Sequence, residues 1–240
     1  MRAVFAFLFD CATVSLAELA SANVVGYQEL AVPSGSSMRT ATFQALAGDY
    51  KISDIKVSGA EGGGSDYAQK INADGSWGDT YYYLTEDGMG VDNGWYKDGF
   101  GDEPVSDEDT LSIGQAFIVT AGTDFKMTVA GQVISGQATV TAPAGFSIIG
   151  NPTPVEAKLS TITVSGAEGG GSDTAQKINA DGSWGTMYYY LTEDGMGVDN
   201  GWYKDGFGDE PVTDEDALAP GESMIFTVVN ELTLKFPATL

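Results

Sequence analysis

Apolar side chains recur at every second position in several short runs of this chain. Phe125, Met127 and Val129 alternate with polar or small residues, and Leu232, Leu234 and Phe236 do the same near the other end. Successive side chains of a strand point to opposite sides, so a period of two marks a strand with one buried face. Strands are predicted on this basis near residues 52–58, 68–72, 80–85, 94–97, 116–121 and 125–130. In the run TYYYL, alternation sends Tyr81 and Tyr83 to one face and Tyr82 with Leu84 to the other. At least one of those sets belongs to a core. Glycine clusters such as GAEGGGSD and NADGSWG supply the bends. Helical periodicity is confined to the N-terminal segment.

The strand pattern occurs twice. Residues 57–109 laid over 164–216 agree at 49 of 53 positions, the exceptions being Tyr67 against Thr174, Asp79 against Thr186, Thr80 against Met187 and Ser106 against Thr213. Beyond residue 109 the identity stops but the alternation persists. Before the block, VGYQELAVPSGSSMRTATFQAL and SGQATVTAPAGFSIIGNPTPV each read as strand, Pro-x-Gly turn, strand. The interval of about 107 to 110 residues is that of a β-sandwich and too long for a small solenoid repeat. An all-β fold is therefore expected, with two tandem β-sandwich domains from an internal duplication, over residues 23–133 and 134–240.

Composition supports this class. Glycine is abundant at 32 residues and charged residues are sparse at 19%, which suits short strands joined by turns. The formal charge is −23, from 34 acids against 11 bases, so phosphate backbones are repelled and nucleic acid is not an expected partner. The chain has no histidine and one cysteine, Cys11. The commonest general base and most zinc chemistry are thereby removed, and no internal disulfide can form. No apolar run approaches the roughly 20 residues that span a bilayer, so no membrane span is expected.

Residues 1–22 carry Arg2, an apolar run through Phe9, and the small residues Ala20, Ser21 and Ala22. That is the form of a secretory signal with an Ala-x-Ala cleavage site, interrupted by Asp10 and Glu18; the other reading is an ordinary N-terminal helix. The sequence ANVVGY that follows, and the run VTAPAGFSIIGNP, resemble secreted bacterial β-rich proteins with this kind of mature N-terminus and hairpin. The resemblance implies export and a β-rich fold. It supplies no catalytic residues.

The repeated blocks hold 13 acids with 2 lysines and 12 acids with 2 lysines, so a cation or a basic partner would relieve their repulsion. Calcium takes carboxylate and carbonyl oxygens, and DGMGVD resembles a glycine-rich calcium repeat. The candidate ligands are Asp87, Asp92, Asp98 and Asp102, with their counterparts Asp194, Asp199, Asp205 and Asp209. The alternative is a set of solvated acidic loops. Trp77, Trp95 and Tyr96, with Trp184, Trp202 and Tyr203, are candidates for stacking on sugar rings, against the default of aromatic packing between sheets.

Paired carboxylates also suit glycoside hydrolysis, but acids are so frequent here that such a pair arises by chance. No enzyme is expected. The expected role is a structural subunit of an extracellular or cell-surface fibre or layer, with Ca2+ as an optional stabiliser and itself as head-to-tail partner. A contact between the two domains could recur between molecules and give an open polymer. Exposed strand edges or the N-terminal segment would join the subunits. The alternative role is a calcium-dependent glycan-binding or adhesion module.

Overall fold

The computed structural model describes residues 25–35, 39–41, 49–62, 64–85, 93–99, 103–132, 136–179, 183–192, 200–206 and 210–238. The predicted leader and the expected division at residue 133 lie outside them. The chain is all-β: the described residues form strands, turns and two short 3-10 turns.

A first unit contains β1 (Val25–Val32), β2 (Arg39–Ala41), β3 (Tyr50–Lys51), β4 (Lys56–Ser58), β5 (Tyr67–Ile71) and β6 (Trp77–Leu84). It continues with β7 (Gly94–Lys97), β8 (Glu103–Pro104), β9 (Thr110–Leu111), β10 (Phe117–Thr120) and β11 (Phe125–Gln132). A second unit contains β12 (Ala138–Ala142), β13 (Gly145–Gly150), β14 (Ala157–Lys158), β15 (Thr163–Ser165), β16 (Thr174–Ile178) and β17 (Trp184–Leu191). It ends with β18 (Gly201–Lys204), β19 (Glu210–Pro211), β20 (Ala217–Leu218), β21 (Ser223–Val228) and β22 (Leu232–Phe236).

Each unit sets a three-stranded sheet against a six-stranded one. The small sheets run β1-β11-β4 and β12-β22-β15; the large ones run β2-β10-β5-β6-β7-β8 and β13-β21-β16-β17-β18-β19. The second unit thus has the strand order of the first. Both sheets of a unit feed one core, which in the second unit joins Val140, Leu234 and Phe236 to Tyr188, Trp202 and Phe226. Strand β12 shows why, with Ala138, Val140 and Ala142 buried and Thr139 and Thr141 exposed.

Two expectations need correction. The strand predicted over residues 52–58 breaks into a 3-10 turn, Ile52–Asp54, followed by β4. Ile52 and Ile55 are both buried, at 0% and 1% exposure, and a spacing of three cannot place two residues on one strand face. The turn, closed by the Ile55 N–H on the Ile52 carbonyl (3.1 Å), lets both enter the core. The Pro-x-Gly segments, expected from the resemblance to close hairpins, are corners instead. Strand β1 pairs with β11 whereas β2 pairs with β10, and β12 with β22 whereas β13 pairs with β21. The chain therefore crosses from the small sheet to the large one at Gly35 and Gly145, both with φ in the left-handed region (+74° and +92°).

The two units meet through the outer faces of their large sheets. A third apolar cluster joins Ala116, Ile118 and Ile71 of the first to Ile148, Ile225 and Ile178 of the second. Ile71 and Ile178 are equivalent positions, as are Ile118 and Ile225. The loop before β10 is stitched to β13 by Ala116 N–H to Ile148 O (3.2 Å) and Gly150 N–H to Gly114 O (2.8 Å). Gly114 has φ +77°, and a Cβ there would stand 2.6 Å from Val140. Equivalent isoleucines of the two units thus share one apolar cluster.

Candidate strand groove and the repeated acidic block

Trp95 and Tyr96 are neighbours on a strand, so they enter opposite faces of the large sheet. Trp95 lies in the core at 4% exposure, edge-on to Tyr83 with ring centroids 5.6 Å apart. Tyr96, at 6%, stacks on Tyr82 across the strand pair. Trp202 and Tyr203 repeat this at 4% and 6%, against Tyr190 and Tyr189. These four residues are therefore corrected from exposed sugar platforms to packing residues, because each is buried against an aromatic side chain of the paired strand. Trp77 and Trp184 differ, at 54% and 56% exposure. Trp77 follows a tight turn in which Asp74 Oδ1 accepts the Ser76 N–H (2.9 Å) and Asn72 N–H donates to the Ser76 carbonyl (2.9 Å).

Of the eight candidate calcium ligands, Asp98 and Asp205 are described, and both are exposed just past β7 and β18. Their backbone N–H groups donate to Thr80 O and Met187 O, each at 2.9 Å. Asp87, Asp92, Asp102, Asp194, Asp199 and Asp209 lie outside the described residues. Among the described residues no three acids gather in a way that could hold a metal.

Sequence reasoning missed four buried acids of the same block. Asp66 accepts the N–H of Gly122 (2.8 Å) and of Thr123 (3.1 Å), tying the β10–β11 turn to the start of β5. Asp173 likewise accepts from Val229 and Glu168. Asp109 accepts from Ser106 N–H (2.8 Å), Lys97 Nζ (3.2 Å) and the Tyr81 hydroxyl (3.2 Å). Asp216 accepts from Thr213 N–H (2.7 Å), Lys204 Nζ (2.9 Å) and the Tyr188 hydroxyl (3.0 Å). The Ser-x-x-Asp and Thr-x-x-Asp spacing was the available signal, since it resembles the reciprocal cap of a turn.

Burial alone would raise both Asp109 and Asp216. The Ser106 and Thr213 donors and the paired lysines outweigh it and hold the carboxyls below their usual range. Tyr188 is pushed up to about 12, first by burial and then by its bond to Asp216. Tyr81 is raised further because, after burial, it faces Asp79 as well as Asp109; Thr186 stands where Asp79 would be. The donors and acceptors in these networks are spent on one another, which fits a latch for the β8–β9 loop.

The three-stranded sheet covers only part of the six-stranded one, leaving the sandwich open beside β4 and β15. In the second unit this mouth is a groove of about 580 Å3, bounded by Thr163, Val164 and Ser165 on one side and Tyr190, Trp202 and Val212 on the other. Strand β15 is an edge, so the backbone groups it turns away from β22 are unpaired within the sheet. In the first unit Trp95 Nε1–H donates to the Ile55 carbonyl (3.0 Å), lacing the large sheet to the small one. Trp202 makes no counterpart of that bond among the described residues, and Ile162 is 8% exposed where Ile55 is 1%.

No protein-family model, curated protein or solved structure matches this chain. Among the described residues no helix is long and apolar enough to cross a membrane.

Proposed function

We propose that the chain is a non-enzymatic structural subunit of an extracellular or cell-surface assembly, joined to further copies through the edges of its small sheets. What supports this reading is the unequal protection of the sheet edges. Strands β8 and β19 are two residues long and end in Pro104 and Pro211, and β13 is covered by the first unit. Proline, brevity and cover are the usual guards against edge pairing. Among the described residues strand β1 has none of them: it is eight residues long, its Glu29 is neutralised by Lys126 (2.6 Å), and Tyr27 is 65% exposed. Its equivalent β12 presents Thr139 and Thr141. Joining β1 of one copy to β12 of the next is head-to-tail and gives an open fibre. Negative-stain microscopy of the purified chain should reveal filaments, and Tyr27→Lys with Thr141→Lys should disperse them; dispersed particles from the unaltered chain refute the reading. A melting temperature insensitive to chelator removes calcium from it.

A second reading, glycan adhesion, is favoured by one observation: Trp77 and Trp184 are exposed at equivalent positions, the first residues of β6 and β17. Binding to an immobilised neutral polysaccharide that disappears in the Trp77→Ala, Trp184→Ala double variant would support it.

A further inference from the structure

We propose that Asn93 and Asn200 are sites of self-catalysed deamidation, each attacked by the backbone nitrogen of the glycine that follows it. Asn-Gly occurs twice among the seven asparagines of the chain, at matching positions of the two blocks. Both asparagines are exposed and stand at the bend before a strand, β7 in the first unit and β18 in the second. The backbone does not demand glycine after them. Neither Gly94 nor Gly201 has φ in the left-handed region, and among the described residues a Cβ on either meets only a tyrosine ring of its own strand at 3.9 Å, an ordinary contact. Gly114, by contrast, has φ +77° and would bring a Cβ to 2.6 Å from Val140.

What glycine supplies at these places is an unshielded amide nitrogen, because it has no Cβ to obstruct approach. Loss of the amide proton to hydroxide lets the Gly94 nitrogen add to the side-chain carbonyl carbon of Asn93. The new C–N bond closes a cyclic imide, the bond from that carbon to Nδ2 breaks, and Nδ2 takes up a proton from water and leaves as ammonia. Water then opens the ring at either of its two carbonyls. One opening gives aspartate, and the other gives isoaspartate, in which the main chain runs through the former side chain. No oxidant, cofactor or partner is consumed.

The other described asparagines serve as internal controls. Asn151 is buried, precedes Pro152, which has no N–H, and donates through Nδ2 to Val155 O (2.7 Å) and Leu218 O (2.8 Å). Asn72 and Asn179 precede alanines, and their Nδ2 groups donate to Ser76 Oγ and Ser183 Oγ, each at 3.0 Å. Asn230 precedes Glu231 and donates to Glu168 (2.8 Å). Conversion adds a carboxylate to each acidic block beside the first pair of a strand ladder, where Gly94 faces Leu84 and Gly201 faces Leu191. Isoaspartate also lengthens the main chain just before Trp95 and Trp202, which loosens the start of β7 and β18. The change occurs within a single molecule, so it neither requires nor opposes the joining of copies.

The test incubates the full chain at mildly alkaline pH and follows it by tryptic digestion and mass spectrometry. Cleavage after lysine gives residues 71–97 and 178–204, which pair Asn72 with Asn93 and Asn179 with Asn200; Asp79 and Thr186 tell the two peptides apart. Aspartate and isoaspartate should accumulate together at 93 and 200, while Asn72 and Asn179 stay intact over the same period. Gly94→Ala combined with Gly201→Ala should leave the melting temperature unchanged and slow conversion about tenfold, an added barrier of about 1.4 kcal/mol. Should that variant melt lower, the comparison within each peptide of the unaltered chain takes its place. The proposal is overturned if Asn93 and Asn200 persist in the folded chain while a short VDNGW peptide converts, or if Asn72 converts as fast. Undiminished conversion in a folded alanine variant overturns it too, as does aspartate without isoaspartate, the mark of direct hydrolysis. None of these readouts depends on filaments, so the assembly reading stands or falls separately.

Discussion

The mouth of the first unit is laced by one indole hydrogen bond, Trp95 to Ile55, while the mouth of the second opens into a groove around the equivalent Trp202. The residues that face each other across these mouths are almost the same, and the difference arises underneath. Phe226 lies edge-on beneath Trp202 at 5.9 Å, where the first unit has the smaller Val119. The first unit carries its bulk two residues earlier, in Phe117, which meets Tyr81 at 6.0 Å where the second has Met224. Moving a phenyl ring two places along one strand keeps it on the same face but shifts the layer it fills. Two units with nearly the same surface can therefore fill their cores differently.

The largest expected effect tests the latches. Asp216→Ala removes the buried carboxylate that Lys204 holds at 2.9 Å and should destabilise the second unit by about 3 kcal/mol, whereas in Asp109→Ala Lys97 keeps Asp79 at 2.9 Å and the loss should be about 2 kcal/mol. Equal losses in chemical denaturation would remove the distinction. Next comes Val119→Phe, which imports the core residue of the second unit into the first. It should cost about 1–3 kcal/mol by overpacking and speed exchange of the Trp95 indole N–H. If the indole stays protected, Phe226 is not what opens the second mouth.

A smaller effect separates the two tryptophans. Trp95→Phe should cost about 1 kcal/mol more than Trp202→Phe, the worth of one net hydrogen bond. Thermal melts of the pair decide this.

Titration gives the finest comparison. Tyr188 and Tyr81 have folded-state values above that of an unfolded tyrosine, near 10. Their contribution is complete below about pH 10 and is lost as pH rises through the folded values. Phenolate absorbance should place Tyr188 at about 12, with Tyr81 ionising later because of Asp79. Thr186→Asp should move Tyr188 upward. Asp109 and Asp216 run in the opposite sense: their depressed values add stability above an unfolded aspartate's value of about 3.9, and it disappears as pH falls through the folded values. Acid unfolding that begins well above pH 5 would show that other groups control it.

Much of the fold was legible because alternation is local. The runs Phe125, Met127, Val129 and Leu232, Leu234, Phe236 define strands without knowledge of their partners, and Gly94–Lys97 occupies the predicted residues. The site was less legible. Trp77 and Trp95 are both tryptophans of one glycine-rich block, yet one is half exposed and the other buried; strand position within the sheet decides that, and sequence spacing does not state it. Asp66 was hidden among many acids because its partner Gly122 lies 56 residues away, whereas Asp109 had a local signal in Ser106, three residues before it.

The sequence by itself determined the class of structure, since the period of hydrophobic residues and the placement of glycine and proline act within a few residues. It also determined that two units share one pattern, since the repeat is written in the chain. Only the tertiary structure decided that the Pro-x-Gly turns cross between sheets, that equivalent isoleucines of the two units share a cluster, and that β15 is an edge. Each of these depends on which distant strands pair and which side chains fill the space between them, and the free energy of that packing belongs to the assembled core.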